Sequence, residues 1–558
     1  MVAKHKPARR ERTRGKIPKL IIVTGGVLSG LGKGVTTASI GNILKARGFR
    51  VNTQKFDQYL NVDAGTLNPG EHGEVFVTDD GAETDLDLGH YERFLDQSLT
   101  KDCSVMTGQI YLEVTQAERE GKYLGKTVQM IPHVTDAVKR RMWAAARRSH
   151  AEIHLVEVGG TVGDYEGAHF LEAVRQLAAD DGKENVLYVH VAFLPYLAAS
   201  DEIKTKPAQN SVRDLRAIGI QPDVIIARAD HPISKSQLEK LSLYANVDVA
   251  SVIPVPTVGS MYEVPLHMEA HGLDRIIAQK LGLGFRPRND RIWHRLVATI
   301  KRRKPPVRIA MVGKYLNMKD TYMSLIEALK AAAWAHGRSL DLWWVDAEQI
   351  ESGKFPVEEL QHAAGIAVPG GFGVRGTEGK IRAIRFAREK KIPYLGLCFG
   401  MQLMVIETAR HLARLPHATS EEFAPAEKKR DPVIHLMGEQ KKTLLKGGTM
   451  RLGAWPCALK EKSLARKLYG ERRISERHRH RYEFNNAYRA KLERAGLAVS
   501  GTTPDGQLVE IVERPDHPFF LGVQFDPEFQ SRPTRPHPLF LGFLKAAISS
   551  RKTASRGR

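Results

Sequence analysis

The segment Leu20-Ile21-Ile22-Val23-Thr24-Gly25-Gly26-Val27-Leu28-Ser29-Gly30-Leu31-Gly32-Lys33-Gly34 joins an apolar, β-branched run to a glycine-rich turn that reaches a lysine. Residues 35–47 continue in a helical pattern. A strand, a glycine-rich turn, a lysine and a helix in this order are typical of a loop whose backbone amides cradle phosphates. The residue after the lysine is Gly34 and not the Ser or Thr of a strict Walker A sequence, so the segment predicts a P-loop-like nucleotide site.

Further short apolar runs follow along the N-terminal half. They lie at residues 153–158, 186–191 and 224–227, with helical segments such as 170–179 between them. Strands that alternate with helices in this way form a parallel sheet that is covered on both faces. The pattern therefore predicts an α/β fold with a doubly wound parallel sheet.

A basic, proline-bearing segment at 286–306 separates this half from a second strand-first unit, which opens at 307–313 and continues through 364–369. A second doubly wound parallel-sheet domain is expected there. The length of 558 residues also favours several domains, at roughly 150 residues each. The predicted divisions are a basic disordered tail (1–18), a first domain (19–285), a linker (286–306), a second domain (307–548) and a basic tail (549–558).

The composition is that of a globular protein, with 42% hydrophobic and 26% charged residues. Neither a secretory signal nor an apolar run of roughly 18 residues is evident, and three cysteines make no disulfide framework, so a cytoplasmic protein without a membrane partner is expected. The net charge of +21 is partly concentrated at the two ends. Without a recognition motif this charge alone is weak support for nucleic-acid binding, and no specific nucleic acid is expected as a partner.

A candidate nucleophile lies in the second domain, in the run Gly396-Leu397-Cys398-Phe399-Gly400-Met401-Gln402. An apolar strand precedes this run and a helix is predicted to begin near Met401. Glycines on both sides allow a sharp turn, and the helix N-terminus stabilises both a thiolate and an oxyanion. Cys398 is therefore predicted to be a covalent nucleophile.

Several long blocks of the first domain are similar to the CTP synthase family. They are the phosphate loop, residues 72–78 together with the segment around Asp87, residues 157–164, and residues 204–207. The resemblance runs from about Lys19 to Leu544. It implies an amidoligase that phosphorylates the 4-oxygen of UTP with ATP as co-substrate, after which ammonia from glutamine displaces the phosphate and gives CTP. It also implies Mg²⁺, GTP as an allosteric activator, CTP as an inhibitor and a homotetramer.

The resemblance implies roles for individual residues of the first domain. Asp87 and Glu157 would hold the metal ion, and Lys55 and Asp57 fall within a matching block. The ATP-binding residues would be Gly30, Leu31, Gly32, Lys33, Gly34, Val35 and Asp87. The residues of the UTP site and the overlapping CTP site would be Ser29, Asp164, Tyr165, Glu166, Lys204, Thr205, Lys206, Pro207, Ala208, Gln209 and Lys240.

The second domain resembles the class I glutamine amidotransferases. Residues 369–373 (Pro-Gly-Gly-Phe-Gly) are similar to the family's oxyanion loop, and residues 522–529 are similar to its His-x-Glu signature, except that Asp526 stands at the histidine position while Glu528 is present. The implied catalytic positions are thus Cys398, Asp526 and Glu528. The implied glutamine-binding residues are Gly371, Phe399, Gly400, Met401, Gln402, Glu422 and Arg481.

Asp526 changes the expected chemistry. An aspartate with an ordinary pKa near 3.9 is a poor proton acceptor from a thiol with a pKa near 8.5, and two carboxylates close to Cys398 raise the thiol's pKa instead of lowering it. We therefore hypothesise a synthetase that works with free ammonia while its glutaminase is severely impaired. Rescue by His517 or His537 is improbable, and the neighbouring arginines disfavour a metal at His478 and His480. The alternative function is a catalytically degenerate regulatory or filament-forming scaffold.

Overall fold

A computed structural model describes residues 17–28, 30–284, 286–314, 318–423, 430–438 and 449–556. The chain forms two compact units. The first combines the residues up to Tyr59 with Ile110–Asn289, and the second combines Leu60–Gln109 with the residues from Asp290 onward. Residues 60–109, which the sequence analysis assigned to the first domain, thus group with the C-terminal half of the chain.

The regular elements are numbered here in chain order. The strands are β1 (Lys19–Gly26), β2 (Val51–Asp57), β3 (Phe76–Val77), β4 (Glu83–Thr84), β5 (Ser104–Met106), β6 (Ile153–Val158), β7 (Val186–Phe193), β8 (Tyr196–Leu197), β9 (Glu202–Ile203), β10 (Val224–Ala229), β11 (Val252–Pro256), β12 (Pro306–Gly313), β13 (Ser339–Asp346), β14 (Gly365–Val368), β15 (Tyr394–Leu397), β16 (Ala418–Ser420), β17 (Asp431–Leu436), β18 (Arg451–Leu459), β19 (Arg473–His480), β20 (Tyr482–Phe484), β21 (Ala498–Thr502), β22 (Val509–Glu513) and β23 (Phe520–Val523).

The helices are α1 (Lys33–Ala46), α2 (Pro69–His72), α3 (Asp87–Leu95), α4 (Thr107–Arg119), α5 (Thr135–Arg148), α6 (Ala168–Asp181), α7 (Lys206–Ala217), α8 (Lys235–Ala245), α9 (Val264–Ala270), α10 (Leu273–Lys280), α11 (Arg291–Lys301), α12 (Met323–Ala335), α13 (Ala347–Glu351), α14 (Thr377–Glu389), α15 (Phe399–His411), α16 (Leu464–Tyr469), α17 (Arg489–Arg494) and α18 (Pro538–Arg556). None of these helices, within the described part of the chain, combines the length and the apolar character that crossing a bilayer requires.

The first unit is built on parallel strands in the order β11-β10-β7-β1-β6-β2. The apolar residues of β1, Leu20 to Val23, are completely buried. Such continuous apolar strands are expected where helices cover both faces of a parallel sheet. The α/β fold predicted from the alternating pattern is thereby confirmed.

The second unit has a larger sheet, in the order β13-β12-β14-β15-β23-β22-β21-β18-β19. Its first five strands are parallel, and β22, β21, β18 and β19 extend it in antiparallel pairs. Alternate residues of β12 belong to two different apolar clusters: Ala310 and Val312 to one, Ile309 and Met311 to the other. Because successive side chains of a strand point to opposite faces, each face of this sheet carries its own core.

The structure adds detail at the predicted boundaries. The segment interpreted as a linker contains α11, because Trp293, Leu296 and Val297 form a buried stripe at helical spacing. The last helix, α18, continues to Arg556, into the segment predicted to be a basic tail. Residues 1–16 of the N-terminal tail lie outside the described residues.

A buried ion-pair cluster holds segment 60–109 within the second unit. Arg477 of β19 is completely buried, and its Nη1 and Nη2 atoms donate to the two carboxylate oxygens of Glu92 at 2.9 and 3.1 Å. Arg532 also donates to Glu92, and Arg477 donates to the carbonyl of Val77 at 3.0 Å. Buried charges are stable only when they are paired and hydrogen-bonded in this way, so α3 and β3 are fixed against β19.

Replacing Glu92→Gln should destabilise the second unit by about 3–5 kcal/mol, because buried Arg532 would lose its counter-charge and buried Arg477 would keep only its pair with Asp79. The midpoint of the unit's transition in differential scanning calorimetry measures this loss. The matched control is Glu378→Gln, which removes the exposed pair with Arg410 and should change the stability by about 1 kcal/mol or less. Equal shifts of the transition midpoint in the two variants would contradict the stabilising role of the buried ion-pair cluster.

Candidate active site

Cys398 lies on a strained turn between β15 and α15. Its backbone has φ 47° and ψ −101°, a conformation that residues other than glycine rarely adopt. The flanking glycines are required by close packing, since a Cβ on Gly396 would lie 2.6 Å from the Tyr394 hydroxyl and one on Gly400 would lie 2.2 Å from the Val368 carbonyl oxygen. The turn holds the thiol directly before the first turn of α15, in the arrangement typical of a nucleophile elbow.

The surroundings of the thiol favour its neutral form. Its Sγ atom donates to the Arg479 carbonyl at 3.7 Å and accepts from Nε2 of Gln524 at 3.7 Å. Burial raises the pKa of Cys398 well above its ordinary value, and the carboxyl groups of Asp526 and Glu528 raise it further. The direction agrees with the prediction from sequence, and thiolate is scarce at neutral pH.

Asp526 and Glu528 lie at the start of a 3₁₀ turn, Pro527–Gln530, that follows β23. Both side chains are more than nine-tenths buried. Within the described residues, Oδ2 of Asp526 and Oε2 of Glu528 have no hydrogen-bond partner. Burial raises the pKa of Asp526 to about 8, and burial together with the charge of Asp526 raises the pKa of Glu528. The two adjacent buried carboxyl groups therefore hold protons to a higher pH than ordinary carboxyl groups do.

The protonation of Asp526 modifies the argument from sequence, which used the ordinary pKa of aspartate. A carboxyl group with a pKa of about 8 is a stronger base than an ordinary aspartate once it is ionised. The same burial raises the pKa of Cys398, however, so transfer of the thiol proton to Asp526 stays uphill.

The nearby histidines have structural partners. His517 contacts the Ala387 carbonyl at 3.2 Å, and His537 contacts Glu476 at 2.9 Å. His478 and His480 contact each other at 3.1 Å, and burial lowers the pKa of both. Within the part of the chain that the structure describes, none of these four histidines lines the cavity at Cys398.

The segment predicted to be an oxyanion loop, residues 369–373, packs on Lys314 and Lys380, which were not predicted from the sequence. Lys314 donates to the Phe372 carbonyl and, at 3.2 Å, to the Gly373 carbonyl. Lys380 is completely buried and donates to the Pro369 carbonyl at 3.5 Å. Burial lowers the pKa of Lys314 to about 8 and that of Lys380 well below its ordinary value. These lysines orient the loop through its carbonyl groups.

The predicted glutamine-binding residues surround this loop in part. Phe399, Gly400, Met401 and Gln402 form the buried first turn of α15. Gln402 donates to Gln524 at 3.2 Å, which in turn contacts the Cys398 sulfur. Glu422 accepts the Gly373 amide at 2.6 Å. Arg481, by contrast, donates to the Thr449 hydroxyl at 3.1 Å.

One cavity of about 80 Å³ brings the candidate catalytic residues together. It is lined by Cys398, Gly371, Asp526 and Glu528, and by residues that sequence reasoning missed. The missed residues include Pro69, Glu74, Val75, Tyr322 and Arg479. Glu74 and Val75 come from segment 60–109, and no pattern in the sequence predicts their place beside Cys398.

The phosphate loop of the first unit has the predicted form. Gly32 is the left-handed N-cap of α1, with φ 90°, and Lys33 begins that helix. Nζ of Lys33 donates to the Gly160 carbonyl at 2.6 Å. A Cβ on Gly26 would lie 1.6 Å from the Ser211 hydroxyl, so the loop needs glycine there. The loop also includes Ser29, which lies outside the described residues.

Glu157 lies near the carboxyl end of β6, where ligands bind in open α/β sheets. Its carboxylate is 3.4 Å from Nζ of Lys55, which is also 3.5 Å from Asp57. Asp87, the other predicted metal ligand, is the first residue of α3 in the second unit. An additional charged group, the Arg228 guanidinium, lies near Gly32 and was not predicted.

The predicted UTP residues of the first unit lie on loops and helix starts. Asp164 accepts the Thr161 amide at 2.7 Å, and Tyr165 is 96% exposed. Lys204 pairs with Glu202, and Lys206 begins α7. The remaining residues of the set are the exposed Glu166 and Lys240, the half-buried Pro207 and the buried Thr205, Ala208 and Gln209.

Two family models match the chain. The model described as the CTP synthase N-terminus matches residues 19–283, and the model described as glutamine amidotransferase class I matches residues 317–546.

Curated relatives match nearly the whole chain. A CTP synthase from Dehalococcoides mccartyi is 55% identical over 95% of this chain and 97% of its own, and one from Carboxydothermus hydrogenoformans is 53% identical over 96% and 99%. Among solved structures, the Trypanosoma brucei CTPS glutaminase domain with bound acivicin is 40% identical, with a TM-score of 0.41, over 44% of this chain and 94% of that one. The family models and the relatives agree along the chain, which therefore belongs to the CTP synthase family.

Proposed function

We propose that this protein converts UTP to CTP with ATP and free ammonia, and that its glutamine hydrolysis is severely slowed by Asp526. The observation that carries the second part is the buried carboxyl pair of Asp526 and Glu528 in the cavity of Cys398. The resemblance to class I glutamine amidotransferases implies a histidine base at position 526, where this chain has an aspartate. A thiol with a raised pKa and no basic partner is a poor nucleophile.

The synthetase reaction needs charge neutralisation and positioning but no protein nucleophile. The γ-phosphoryl group of ATP would pass to the 4-oxygen of UTP, and ammonia would then attack C4 and release phosphate. Lys33 and the amides at the start of α1 support this proposal because they offer a phosphate site at the end of β1. The loop of Lys204 and Lys206 is proposed to meet the phosphates of UTP.

Mg²⁺ would be held by the carboxylates of Asp87 and Glu157. The fit is supported by the ion pairing of Glu157 with Lys55, since an ionised carboxylate is the hard oxygen ligand that Mg²⁺ prefers. When bound, the metal would neutralise charge on the phosphates of ATP. GTP activation, CTP inhibition, a homotetramer, a cytosolic location and domain limits of 19–285 and 307–548 belong to the same proposal.

The proposal is tested by measuring CTP formation with saturating ammonium and with saturating glutamine at one pH. We expect turnover with ammonium, and a glutamine-dependent rate lower by about 10² to 10⁴, which is the usual contribution of a general base. Equal rates would mean that another group acts as the base. Failure with both nitrogen sources would favour the scaffold function.

Replacing Asp526→His should raise glutamate release from glutamine by about 10² or more, because a neutral imidazole accepts the thiol proton and the imidazolium that forms stabilises the neighbouring thiolate. The control is Asp516→His, the same substitution at a residue that pairs with Arg514 on the surface of this unit. Absence of any gain in the first variant would refute the view that residue 526 limits the glutaminase.

Alkylation of Cys398 by iodoacetamide should accelerate with pH. Because burial raises the pKa of the thiol, the thiolate fraction should grow about tenfold per pH unit from neutral to mildly alkaline conditions without levelling off. Mass spectrometry of the Cys398 peptide gives the rate, and Cys398→Ser measures the background from Cys103 and Cys457. A plateau near neutral pH would contradict the raised pKa.

A further inference from the structure

The cavity at Cys398 has an unbalanced electrostatic character. Three carboxyl groups, from Glu74, Asp526 and Glu528, line it together with one guanidinium, that of Arg479. Arg479 is already paired with Glu83 at 2.8 Å, and burial lowers the pKa of the nearby Lys380 well below its ordinary value. Burial raises the pKa of Asp526 and Glu528, so without a ligand protons neutralise this pair, and a small cation that binds beside the two carboxyl groups would take the place of those protons and leave the pair ionised.

Two carboxylate oxygens lack a partner at this cavity. Glu74 accepts from the amide of Ser324 at 2.9 Å and from its hydroxyl, so its oxygens are occupied. Oδ2 of Asp526 and Oε2 of Glu528 have no hydrogen-bond partner within the described residues, although both side chains are more than nine-tenths buried. A buried carboxylate oxygen left without a donor is destabilising, so these atoms indicate a missing donor.

We propose that this cavity binds an ammonium ion, held by Oδ2 of Asp526 and Oε2 of Glu528, and removes one of its protons. The inference rests on the proposed use of free ammonia. An N–H bond of the ion breaks, an O–H bond forms on a carboxylate, and ammonia leaves with its lone pair; the carboxyl proton then passes to water. Asp526, which stands at the position of the glutaminase base, thereby acts on ammonium instead of glutamine.

The two carboxylate oxygens suit an ammonium ion better than a divalent metal ion. Ammonium offers only N–H donors, and ionised carboxylates are pure acceptors. Mg²⁺ and Ca²⁺ require about six oxygen ligands, whereas two unpartnered carboxylate oxygens are present among the described residues. The Cys398 thiol keeps its proton and donates to Arg479, so it is not a thiolate ligand. A cavity of about 80 Å³ also admits an ion the size of one water, whose share of liquid volume is about 30 Å³.

The acid–base balance of the site supports deprotonation. Burial raises the pKa of Asp526 to about 8, which makes its carboxylate a far better proton acceptor for an amine cation than an ordinary aspartate. Of the charged groups that face Asp526, Glu74 raises its pKa and Arg479 lowers it. Bound ammonium would itself favour the ionised pair.

Binding is tested first by thermal unfolding of the full chain. Ammonium chloride should raise the Tm relative to sodium chloride or tetramethylammonium chloride at equal ionic strength, because only ammonium supplies N–H donors to a small cavity. Asp526→Asn and Glu528→Gln should each abolish the difference. The control Asp516→Asn removes one carboxylate charge from the surface of the same unit and should keep it. No difference in the parent protein, or an equal shift with potassium chloride, would overturn the proposal.

Kinetics provide the second test, in ammonium-dependent CTP formation. Asp526→Asn should raise the KM for total ammonium about tenfold or more, equal to about 1.4 kcal/mol of binding. The ratio of the parent's kcat/KM to that of this variant should fall as pH rises. The free-base fraction of an amine grows about tenfold per pH unit below its pKa, so deprotonation at the site becomes less important. An unchanged KM and a constant ratio would overturn the ammonium site while leaving the proposed function intact. Absence of CTP in the parent, with the Tm shift preserved, would instead refute the proposed function alone.

Discussion

The buried contact between Arg477 and Glu92 determines how the C-terminal unit is assembled. Two guanidinium groups, of Arg477 and Arg532, share one carboxylate that is completely buried. Charges in such surroundings tolerate little displacement, because any lengthening leaves an unpaired ion in a low-dielectric interior. Segment 60–109 is consequently held against β19, and this contact, together with the hydrogen bonds from Ser324 to Glu74, places Glu74 and Val75 at the cavity of Cys398. The surroundings of Cys398 thus depend in part on an ion pair that does not touch it.

Local patterns predict the parts of the fold that depend on local physics. The apolar run of β1, the alternation of strands and helices, and the glycine-flanked turn at Cys398 are all visible in the sequence, because each is dictated by side-chain burial or backbone sterics within a few residues. The partnership of Arg477 with Glu92 spans 385 residues and has no local signature. The sequence analysis also did not predict the antiparallel extension by β22, β21, β18 and β19, although β21, β22 and β23 follow one another in the chain with short connections.

The candidate site likewise has parts that local sequence patterns predict and parts that depend on long-range contacts. Cys398, Gly371 and Glu528 are foreseen from motif spacing, and the structure brings them to one cavity. Lys314 and Lys380 are ordinary lysines in the sequence, and the pKa of each is lowered mainly by burial beneath residues 369–373. Asp526 is the clearest case. Its identity is evident from the sequence, but its protonation depends on desolvation and on Glu74, a residue 452 positions earlier in the numbering.

The division of the second unit into two separate stretches of chain affects its folding during synthesis. Glu92 leaves the ribosome 385 residues before Arg477, an interval of roughly 20–80 s at about 5–20 residues per second. Throughout that time Phe76, whose ring lies beneath Arg477 in the finished protein, has no β19 to pack against. The order of synthesis therefore leaves segment 60–109 without its partner strand through most of translation, and the core of this unit closes only after β19 has been made.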